Sequence, residues 1–536
     1  MSQIENFDYI IVGGGSAGCV LANRLSQDPR VSVVLLESGP RDAGWKVKMP
    51  VAAMDDLWQS NHFNWSSWSE PEPYLNNRRI YCPHGKVLGG SSTINAMVHA
   101  RGNREEYNNW ARNGCIGWNF DEVLPFFKGS ESYSLEPTEY RGHDGPFKIT
   151  KGKLRNILDQ SFLIAGKQAG YKVTDDFNGA QQEGFSIYDH AISGGQRVSA
   201  SSSYLHPIKK RQNLSVRTNT SVTKIRLEGK RAISVEFSDT NGVGTLGANK
   251  EIILSTGAIG SPQLLQRSGI GDGEYLRSIG IDVMHHLPAV GHNLQNHVEV
   301  VLQYECTKPV SLLNKTRPIG KLVSGTRWFL NHSGICASSL FAVGAFLKSQ
   351  KEIPFPNLQL IFLPLAVEPG SSKSKPFHGF QIHIGLQSPQ SRGSVQIKSA
   401  NPAVPPEIRF NLLGHIQDLE ELRSGIHIGR NIINQSAFDA YRGSELSPGP
   451  LIRTNDQLNS WITSHADNSY HPTSTCKMGH EFDSSSVVNP FCQVLGLQSL
   501  RVVDASIMPQ IVNANTNATV IMIAEKISKL IIDSYH

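Results

Sequence analysis

The chain begins with a strand, a glycine-rich turn, a helix and a second strand, and this pattern constrains the fold more than any other feature. Residues 8–12 are a short β-branched run, typical of a buried strand. Three glycines, Gly13, Gly15 and Gly18, follow at G-x-G-x-x-G spacing and lead into a helical pattern. A second apolar run covers residues 31–36. The order predicts a parallel sheet whose first turn binds a dinucleotide.

Each glycine has its own physical task in such a turn. Gly13 makes the tight turn, Gly15 lets the backbone approach a pyrophosphate, and Gly18 allows close packing of the helix on the strand. The amino terminus of the helix, at Ser16 and Ala17, then faces the phosphates.

The second strand ends at Glu37 and Ser38, and Glu37 lies 19 residues past the last glycine. A carboxylate there accepts hydrogen bonds from ribose hydroxyls. The fingerprint does not distinguish FAD from NAD. Only one full copy is found in the sequence, whereas an enzyme that reduces a flavin with a nicotinamide usually needs two. Either NAD is the sole cofactor, or FAD is and another molecule supplies the electrons.

Composition excludes several classes of protein. The 51 Lys and Arg against 46 Asp and Glu give a net charge of +5 without a basic block, which argues against nucleic acid as a partner. The seven cysteines form no CxxC pair, so neither a disulfide framework nor a metal site is indicated. The longest apolar stretches, Leu358–Val367 and Ala518–Ala524, are too short to span a membrane, which leaves only peripheral membrane contact open. With a strand from Asp8 in place of a signal peptide, a cytoplasmic location is expected.

The rest of the chain is divided into β-rich and helical parts. Strands are predicted within 221–237, 243–255, 357–365 and 379–398, and a helix within 518–532. Nucleotide-type segments at both ends with β-rich material between them indicate a split cofactor domain and an inserted second domain.

Further motifs make the chain recognisable. Residues 85–97 read Gly-Lys-Val-Leu-Gly-Gly-Ser-Ser-Thr-Ile-Asn-Ala-Met, and residues 257–271 read Gly-Ala-Ile-Gly-Ser-Pro-Gln-Leu-Leu-Gln-Arg-Ser-Gly-Ile-Gly. Residues 470–479 are Tyr-His-Pro-Thr-Ser-Thr-Cys-Lys-Met-Gly. They are followed by Val-Asp-Ala-Ser-Ile-Met-Pro at 503–509 and Asn-Thr-Asn-Ala-Thr at 515–519. Together with the first motif, these resemble the glucose–methanol–choline (GMC) oxidoreductases over nearly the whole chain, with bacterial-type dehydrogenases of this length nearest.

The resemblance implies an α/β fold, α+β overall, with non-covalent FAD. A Rossmann-type FAD-binding domain, split in sequence, is expected over residues 1–150, 210–300 and 465–536. A substrate-binding domain, built on an antiparallel sheet flanked by helices, is expected over 151–209 and 301–464.

The resemblance also implies residues that contact FAD. The flavin and diphosphate are expected near Gly89, Gly90 and Ser91, and the reactive edge of the ring near Asn95, Ala96, Met97 and Val98. The other implied contacts are Trp65 beside the cofactor, Val222 at the adenine, and Asp504, Ala505 and Thr516 near the diphosphate and ring.

The implied catalytic pair is His471 and Asn515. Transfer of a hydride from an alcohol carbon to flavin N5 requires that the hydroxyl lose its proton, and a histidine suits that role. Asn515 can donate a hydrogen bond to the developing alkoxide.

Some positions depart from the family's pattern. Ala342 or Val343 stands where choline-oxidising members carry a glutamate, which favours a neutral alcohol over a quaternary ammonium. Cys82 matches the position of a flavin-linking histidine, although a packed thiol is the preferred interpretation. His84 stands where an arginine is common, and residues 296–297 are interpreted as structural.

The function expected from the resemblance is FAD-dependent oxidation of a primary alcohol, aliphatic or aromatic, to the aldehyde. The electron acceptor is O2 or a quinone or other carrier, with a dehydrogenase favoured. Two alternatives use the same scaffold, namely a hydroxynitrile lyase and a light-driven fatty acid decarboxylase.

Overall fold

The computed structural model describes residues 4–52, 57–136, 138–368 and 373–534. Its helices are α1 Ser16–Leu25, α2 Trp45–Lys48, α3 Arg104–Arg112, α4 Phe120–Ser130, α5 Ile157–Gln168, α6 Gly257–Arg267, α7 Gly273–Ser278, α8 Leu313–Thr316, α9 Pro318–Asn331, α10 Ile416–Ile433, α11 Asn455–His465 and α12 Asn517–Ser534. Its strands are β1 Glu5–Val12, β2 Val33–Leu36, β3 Ser67–Trp68, β4 Tyr81–Cys82, β5 Val98–His99, β6 Glu131–Tyr133, β7 Phe147–Lys151, β8 Gly184–Ile187, β9 Asp189–His190, β10 Ile192–Ser193, β11 Gln196–Arg197, β12 Leu214–Arg217, β13 Ser221–Glu228, β14 Arg231–Asp239, β15 Gly242–Leu254, β16 Ile270–Gly271, β17 His285–His286, β18 His292–Leu294, β19 Val298–Cys306, β20 Val343–Leu347, β21 Leu358–Leu363, β22 Gly379–Leu386, β23 Gly393–Gln396, β24 Glu407–Arg409, β25 Arg442–Ser447, β26 Asp467–Asn468 and β27 Leu500–Val502.

The first large sheet carries the amino-terminal motif. Its strand order is β12–β2–β1–β15–β14–β13, and β27 also pairs with β15. β12, β2, β1, β15 and β27 are parallel, whereas β14 pairs antiparallel with both of its neighbours. The strands predicted at 8–12 and 31–36 are therefore confirmed. The turn after β1 depends on Gly13, whose φ of +100° is open to glycine at little cost.

The two ends of the chain pack together beside this sheet. α1 follows the glycine turn and lies against α12, which covers the helical segment predicted at 518–532. Arg24 and Glu525 form an ion pair of 2.8 Å between the two helices, and Ser16 Oγ donates to Asn517 Oδ1 at 2.7 Å. The carboxyl terminus therefore supports the helix that follows the first turn.

The second large sheet is antiparallel, as expected, with strand order β25–β19–β22–β21–β20–β8 and β26 paired to β19. Along β21, Leu358, Leu360 and Phe362 are buried in a hydrophobic cluster shared with α5 and α10. Since side chains alternate across a strand, Gln359, Ile361 and Leu363 face the opposite side of the sheet. That opposite side is the one that faces the candidate site.

The predicted domain boundaries can be compared with the strands. The first sheet draws its strands from 1–150, 210–300 and 465–536. The second sheet draws most of its strands from 151–209 and 301–464, but β19 begins at Val298 and β26 lies after residue 464. The boundaries themselves stay a prediction.

Candidate active site

A cavity of about 1130 Å³ is lined by residues of both large sheets. Both predicted catalytic residues, His471 and Asn515, lie in its wall. So do most of the predicted cofactor residues, namely Gly13, Gly15, Ser16, Ala17, Glu37, Ser38, Trp65, Gly90, Ser91, Asn95, Ala96, Met97, Val98, Val222, Asp504, Ala505 and Thr516.

Gly18 and Gly89 do not line the cavity, because each is used for close packing of the backbone. A Cβ at Gly18 would overlap the carbonyl oxygen of Gly13. Gly89 has a φ of +89° and donates its N–H to the carbonyl oxygen of Gly14 at 2.7 Å. A Cβ at Gly89 would overlap Oγ1 of Thr93. Both glycines hold the loops around the cavity without facing it.

The amino terminus of α1 opens on the cavity. Gly15 caps the helix without a side-chain hydrogen bond, and a Cβ built there would lie 3.8 Å from its nearest neighbour, the carbonyl oxygen of Ser255. Gly90 crosses close by, since its Cβ would lie 2.7 Å from the Gly15 Cα. The unpaired N–H groups and the dipole of a helix amino terminus favour an anion. This end of the cavity therefore fits the diphosphate of a dinucleotide.

Glu37 lies beside the same turn. Its Oε2 accepts from the N–H of Gly14 at 2.8 Å, and its Oε1 accepts from the N–H of Gly39 at 2.7 Å. Burial raises the pKa of Glu37 to about 7, and the two backbone hydrogen bonds offset this only in part. Each carboxyl oxygen has a second acceptor position, so the predicted ribose contact is compatible with these bonds.

The opposite end of the cavity holds a chain of hydrogen bonds through two histidines. His471 Nδ1 lies 3.0 Å from His297 Nδ1, and His297 Nε2 lies 3.0 Å from the carbonyl oxygen of Val512. Because a carbonyl only accepts, His297 carries its proton on Nε2, and burial lowers its pKa well below the ordinary value. The neutral Nδ1 of His297 must then accept from His471 Nδ1–H. Nε2 of His471 is left without a proton.

The other side of His471 is occupied by Asn515. Asn515 Nδ2 lies 3.3 Å from His471 Nε2, and Asn515 Oδ1 accepts from Gln359 Nε2 at 3.2 Å. Gln359 Nε2 also donates to Tyr188 Oη at 3.1 Å, and that hydroxyl donates to the carbonyl of Leu360 at 3.1 Å. This series of hydrogen bonds fixes the orientation of the Asn515 amide, with its N–H groups on the His471 side.

The protonation of His471 agrees with this geometry. Burial lowers the pKa of His471 from its ordinary 6.5 to about 4, although the negative charge of Glu299 acts in the opposite direction. At neutral pH the ring is therefore uncharged. An uncharged imidazole whose Nε2 carries no proton is the state that a general base requires.

The backbone at Tyr470, just before His471, is in the left-handed region and is held there by hydrogen bonds to neighbouring side chains. Tyr470 has a φ of +63°, which is costly for a residue with a side chain. Its N–H donates to Asn468 Oδ1 at 2.9 Å, while the N–H of His471 donates to Asn296 Oδ1 at 2.8 Å. Asn296 thus supports the turn. The interpretation of residues 296–297 as structural stays a prediction, and the ring of His297 contacts that of His471.

Two of the departures from the family's pattern differ in their relation to the cavity. Cys82 is fully buried in the second sheet's hydrophobic cluster and does not line the cavity. Burial also raises the pKa of its thiol to about 12, so a packed thiol describes it better than a flavin-linking one. His84 does line the cavity, stacked on Trp65 with ring centroids 6.1 Å apart. Burial lowers the pKa of His84 to about 4, so it brings no positive charge to a phosphate.

The carboxylate missing at Ala342 and Val343 is found elsewhere in the cavity. Neither of these residues lines the cavity, whereas Glu299 on β19 does. Glu299 Oε1 accepts from His383 Nδ1 at 2.8 Å, and its Oε2 accepts from Ser469 Oγ at 3.0 Å. Burial raises the pKa of Glu299, but the charge and hydrogen bond of His383 outweigh it and hold the pKa below its ordinary value. The expectation of a neutral alcohol stays a prediction, while the carboxylate of Glu299 lies in the cavity wall.

Aromatic rings lie in the same wall as Glu299. The rings of Trp58 and Tyr470 have centroids 6.0 Å apart, and both residues line the cavity. Trp58 is fixed by a hydrogen bond from its Nε1 to the carbonyl oxygen of Ile94 at 2.7 Å. A carboxylate next to aromatic faces is an arrangement that attracts a cation.

The sequence interpretation missed His297, Glu299 and Gln359. The sequence carried a usable signal for His297 and Glu299. Polar and apolar side chains alternate at the start and at the end of the run 297–303. Such alternation predicts a strand that turns positions 297 and 299 to the same side. Gln359 carries no comparable signal, since only the fold brings it to Asn515.

Neither a metal-binding cluster nor a membrane-spanning helix is found in the part of the chain that the structure describes. Within it, no group of three or more His, Cys, Asp or Glu side chains is placed to hold a metal ion. None of its helices combines the length and the apolar character needed to cross a membrane.

Comparison with known proteins gives the family. The GMC oxidoreductase models match residues 7–299 and 389–524. An oxygen-dependent choline dehydrogenase of Escherichia coli K12 is 46% identical over 532 residues, which cover 98% of this chain and 95% of that protein.

Two solved structures share the whole fold. A pyridoxine 4-oxidase from Mesorbium loti has a TM-score of 0.88 at 27% identity, covering 99% of this chain and 100% of its own. An FAD-dependent oxidoreductase from Chaetomium thermophilum has a TM-score of 0.91 at 25% identity, with the same coverage. Together with the dinucleotide cradle at α1, these matches show that the chain belongs to the GMC oxidoreductases, FAD-binding enzymes of the class that oxidises alcohols.

Proposed function

We propose that the protein oxidises a primary alcohol to the aldehyde, with His471 as the base and Asn515 as the donor to the alcohol oxygen. The proposal is carried by one observation, namely that the hydrogen-bond chain leaves His471 Nε2 unprotonated beside an Asn515 amide. The substrate hydroxyl donates to Nε2, and its proton passes there. An N–H of Asn515 stabilises the negative charge that develops on the oxygen. Bound FAD supplies the acceptor for the hydride that leaves the alcohol carbon.

The cofactor is held mainly by backbone. The helix start at Gly15, Ser16 and Ala17 binds the diphosphate, and Glu37 accepts from the ribose. Gly90 and Ser91 approach the diphosphate from the other side. The remaining proposed contacts are Ser38, Trp65, Asn95, Ala96, Met97, Val98, Val222, Asp504, Ala505 and Thr516, while Gly13, Gly18 and Gly89 shape the loops.

The substrate is proposed to be an alcohol that carries a positive charge. Glu299 places a carboxylate in the cavity, and the faces of Trp58 and Tyr470 lie in the same wall. A quaternary ammonium binds well to such a combination. The Escherichia coli relative is named a choline dehydrogenase, so choline is the first substrate to test.

Anaerobic titration of the purified yellow protein tests the proposal. Choline, its neutral carbon isostere, benzyl alcohol and medium-chain aliphatic alcohols are added while the flavin absorbance is followed. We expect choline to bleach the flavin at the lowest concentration, and His471→Ala to slow the bleaching by about 10²–10⁴-fold while flavin stays bound. Admission of air then separates an oxidase from a dehydrogenase that needs a quinone or other carrier.

Absence of bleaching with every alcohol would contradict the proposal. Cyanohydrin cleavage and light-driven decarboxylation of fatty acids would then be the reactions to assay.

A further inference from the structure

Helix α9 exposes apolar side chains on the protein surface. Ile319, Leu322 and Leu330 are 79%, 70% and 80% exposed, whereas the residues that the helix buries are Ser324 and Trp328. A surface helix normally turns its apolar stripe to the core and its polar side chains to water. In α9 much of the apolar surface faces outward.

These side chains form a patch. Residues three and four apart are neighbours on a helix, so Ile319, Leu322 and Val323 lie together on one side. Further along, Phe329 packs edge to face on Trp45 of α2, with ring centroids 5.6 Å apart, and both rings are about half exposed. Single exposed apolar residues are common, but a cluster of this kind marks an interaction surface.

The patch lies in a basic part of the chain. No Asp or Glu occurs between Glu305 and Glu352, and the cations in that stretch are Lys308, Lys315, Arg317, Lys321, Arg327, Lys348 and Lys351. Arg155 lies near Arg327, since burial and the positive charge of Arg327 both lower its pKa. α2 adds Lys46 and Lys48 next to Trp45.

The helix is anchored firmly enough to present this face. Trp328 is buried with Met49, Ala52 and Ala337, and its Nε1 donates to the carbonyl oxygen of Gly195 at 2.8 Å. Thr316 and Ser374 share a hydrogen bond of 3.0 Å just before the helix begins. The apolar face is therefore held by contacts on the opposite side of α9.

We propose that α9 and α2 form a docking surface for an anionic lipid bilayer. The apolar side chains enter the boundary between headgroups and acyl chains, and the Lys and Arg side chains on or directly beside α9 and α2 meet the anionic headgroups. A second copy of the chain fits less well, because a twofold interface would place two basic faces against each other. This surface lies outside the residues proposed for catalysis, so its test is independent of the proposed function.

Vesicle sedimentation of the flavin-containing protein tests the inference. Vesicles of phosphatidylcholine alone are compared with vesicles that also contain phosphatidylglycerol. We expect the protein to sediment with the anionic vesicles, and the combined Ile319→Ser, Leu322→Ser and Leu330→Ser variant to lose roughly tenfold or more in vesicle affinity. Lys315→Gln with Arg317→Gln should weaken binding to the anionic vesicles specifically.

A matched control uses apolar residues of similar exposure away from α9. Val243, Leu451 and Phe482 are 89%, 81% and 85% exposed. Their combined substitution by serine should leave sedimentation unchanged, and both triple variants should keep bound flavin and activity with a soluble dye. The inference is overturned if the protein fails to sediment, or if the control loses binding equally. A dimer in light scattering that the α9 variant converts to a monomer would assign the patch to a second copy instead.

Discussion

The two ends of the cavity are built by different means. At the α1 end, Gly15 caps the helix and Gly90 passes close to it, so the shape of this end depends on where the main chain runs. At the His471 end, side chains from β21 and from three loops meet in one hydrogen-bond chain. Substitutions at the first end should therefore affect folding and cofactor, and those at the second end should affect catalysis alone.

The largest effect is expected for Gly18→Ala. The new Cβ would overlap the carbonyl oxygen of Gly13, so the turn has to move. We expect a protein without flavin and a loss of stability of about 1–3 kcal/mol or more. Flavin absorbance per protein and thermal unfolding of the purified variant measure both.

Gly15→Ala is the matched control, because its Cβ meets only a neighbour at 3.8 Å. It should retain the unfolding temperature of the cofactor-free protein while its affinity for FAD falls. If Gly18→Ala retained its full flavin content, the expectation that substitutions at the α1 end affect folding and cofactor binding would be contradicted.

Loss of the catalytic pair should reduce turnover without loss of flavin. His471→Ala removes the base, and we expect kcat to fall by about 10²–10⁴-fold. Asn515→Ala removes the donor to the alkoxide, with an expected fall of about 10²–10³-fold. Steady-state kinetics with the flavin content determined on the same samples check both values. If either variant also lost flavin, the His471 end of the cavity would contribute to cofactor binding as well as to catalysis.

Glu299→Gln should affect cationic substrates more than neutral ones. Loss of the carboxylate removes the attraction for an ammonium group, so KM for choline should rise by roughly tenfold while KM for its neutral carbon isostere changes little. Equal changes for the two substrates would contradict the proposed cation site.

The same variant should shift the pH profile. The charge of Glu299 raises the pKa of His471, so its removal disfavours the imidazolium. The acidic limb of kcat/KM should therefore move to lower pH in Glu299→Gln. A shift to higher pH would have the wrong sign for this interaction.

The smallest effect is expected for Gln359→Leu. This change removes the donor to Asn515 Oδ1, so the amide loses its fixed orientation. The loss of one such hydrogen bond is worth about 0.5–1.5 kcal/mol, or roughly threefold to tenfold in kcat. Ile361→Val, on the same strand and the same cavity face, should leave kcat within twofold, as roughly expected for a conservative change.

The contrast between the two ends also explains what the sequence could predict. The strand, turn and helix at Gly13, Gly15 and Gly18 are specified by neighbouring residues, so both the fold of that unit and its ligand class followed from local spacing. The strands within 357–365 and 379–398 were predicted correctly because apolar residues alternate along β21 and β22, whereas their antiparallel order was implied by the family resemblance.

The far end of the cavity depends on contacts between distant residues. His297 meets His471 across 174 positions, and Gln359 meets Asn515 across 156. No local pattern encodes these pairings. The expectation about substrate charge drawn from Ala342 and Val343 stays a prediction, and the carboxylate that lines the cavity, Glu299, is on another strand.

We propose that His471 carries its proton on Nδ1 and presents an unprotonated Nε2 to the substrate. Nitrogen NMR of protein labelled with ¹⁵N-histidine tests it most directly, with His471→Ala used to assign the signal. At neutral pH we predict a protonated Nδ1 and an unprotonated Nε2 for His471. A proton on Nε2, or on both nitrogens, would contradict the account.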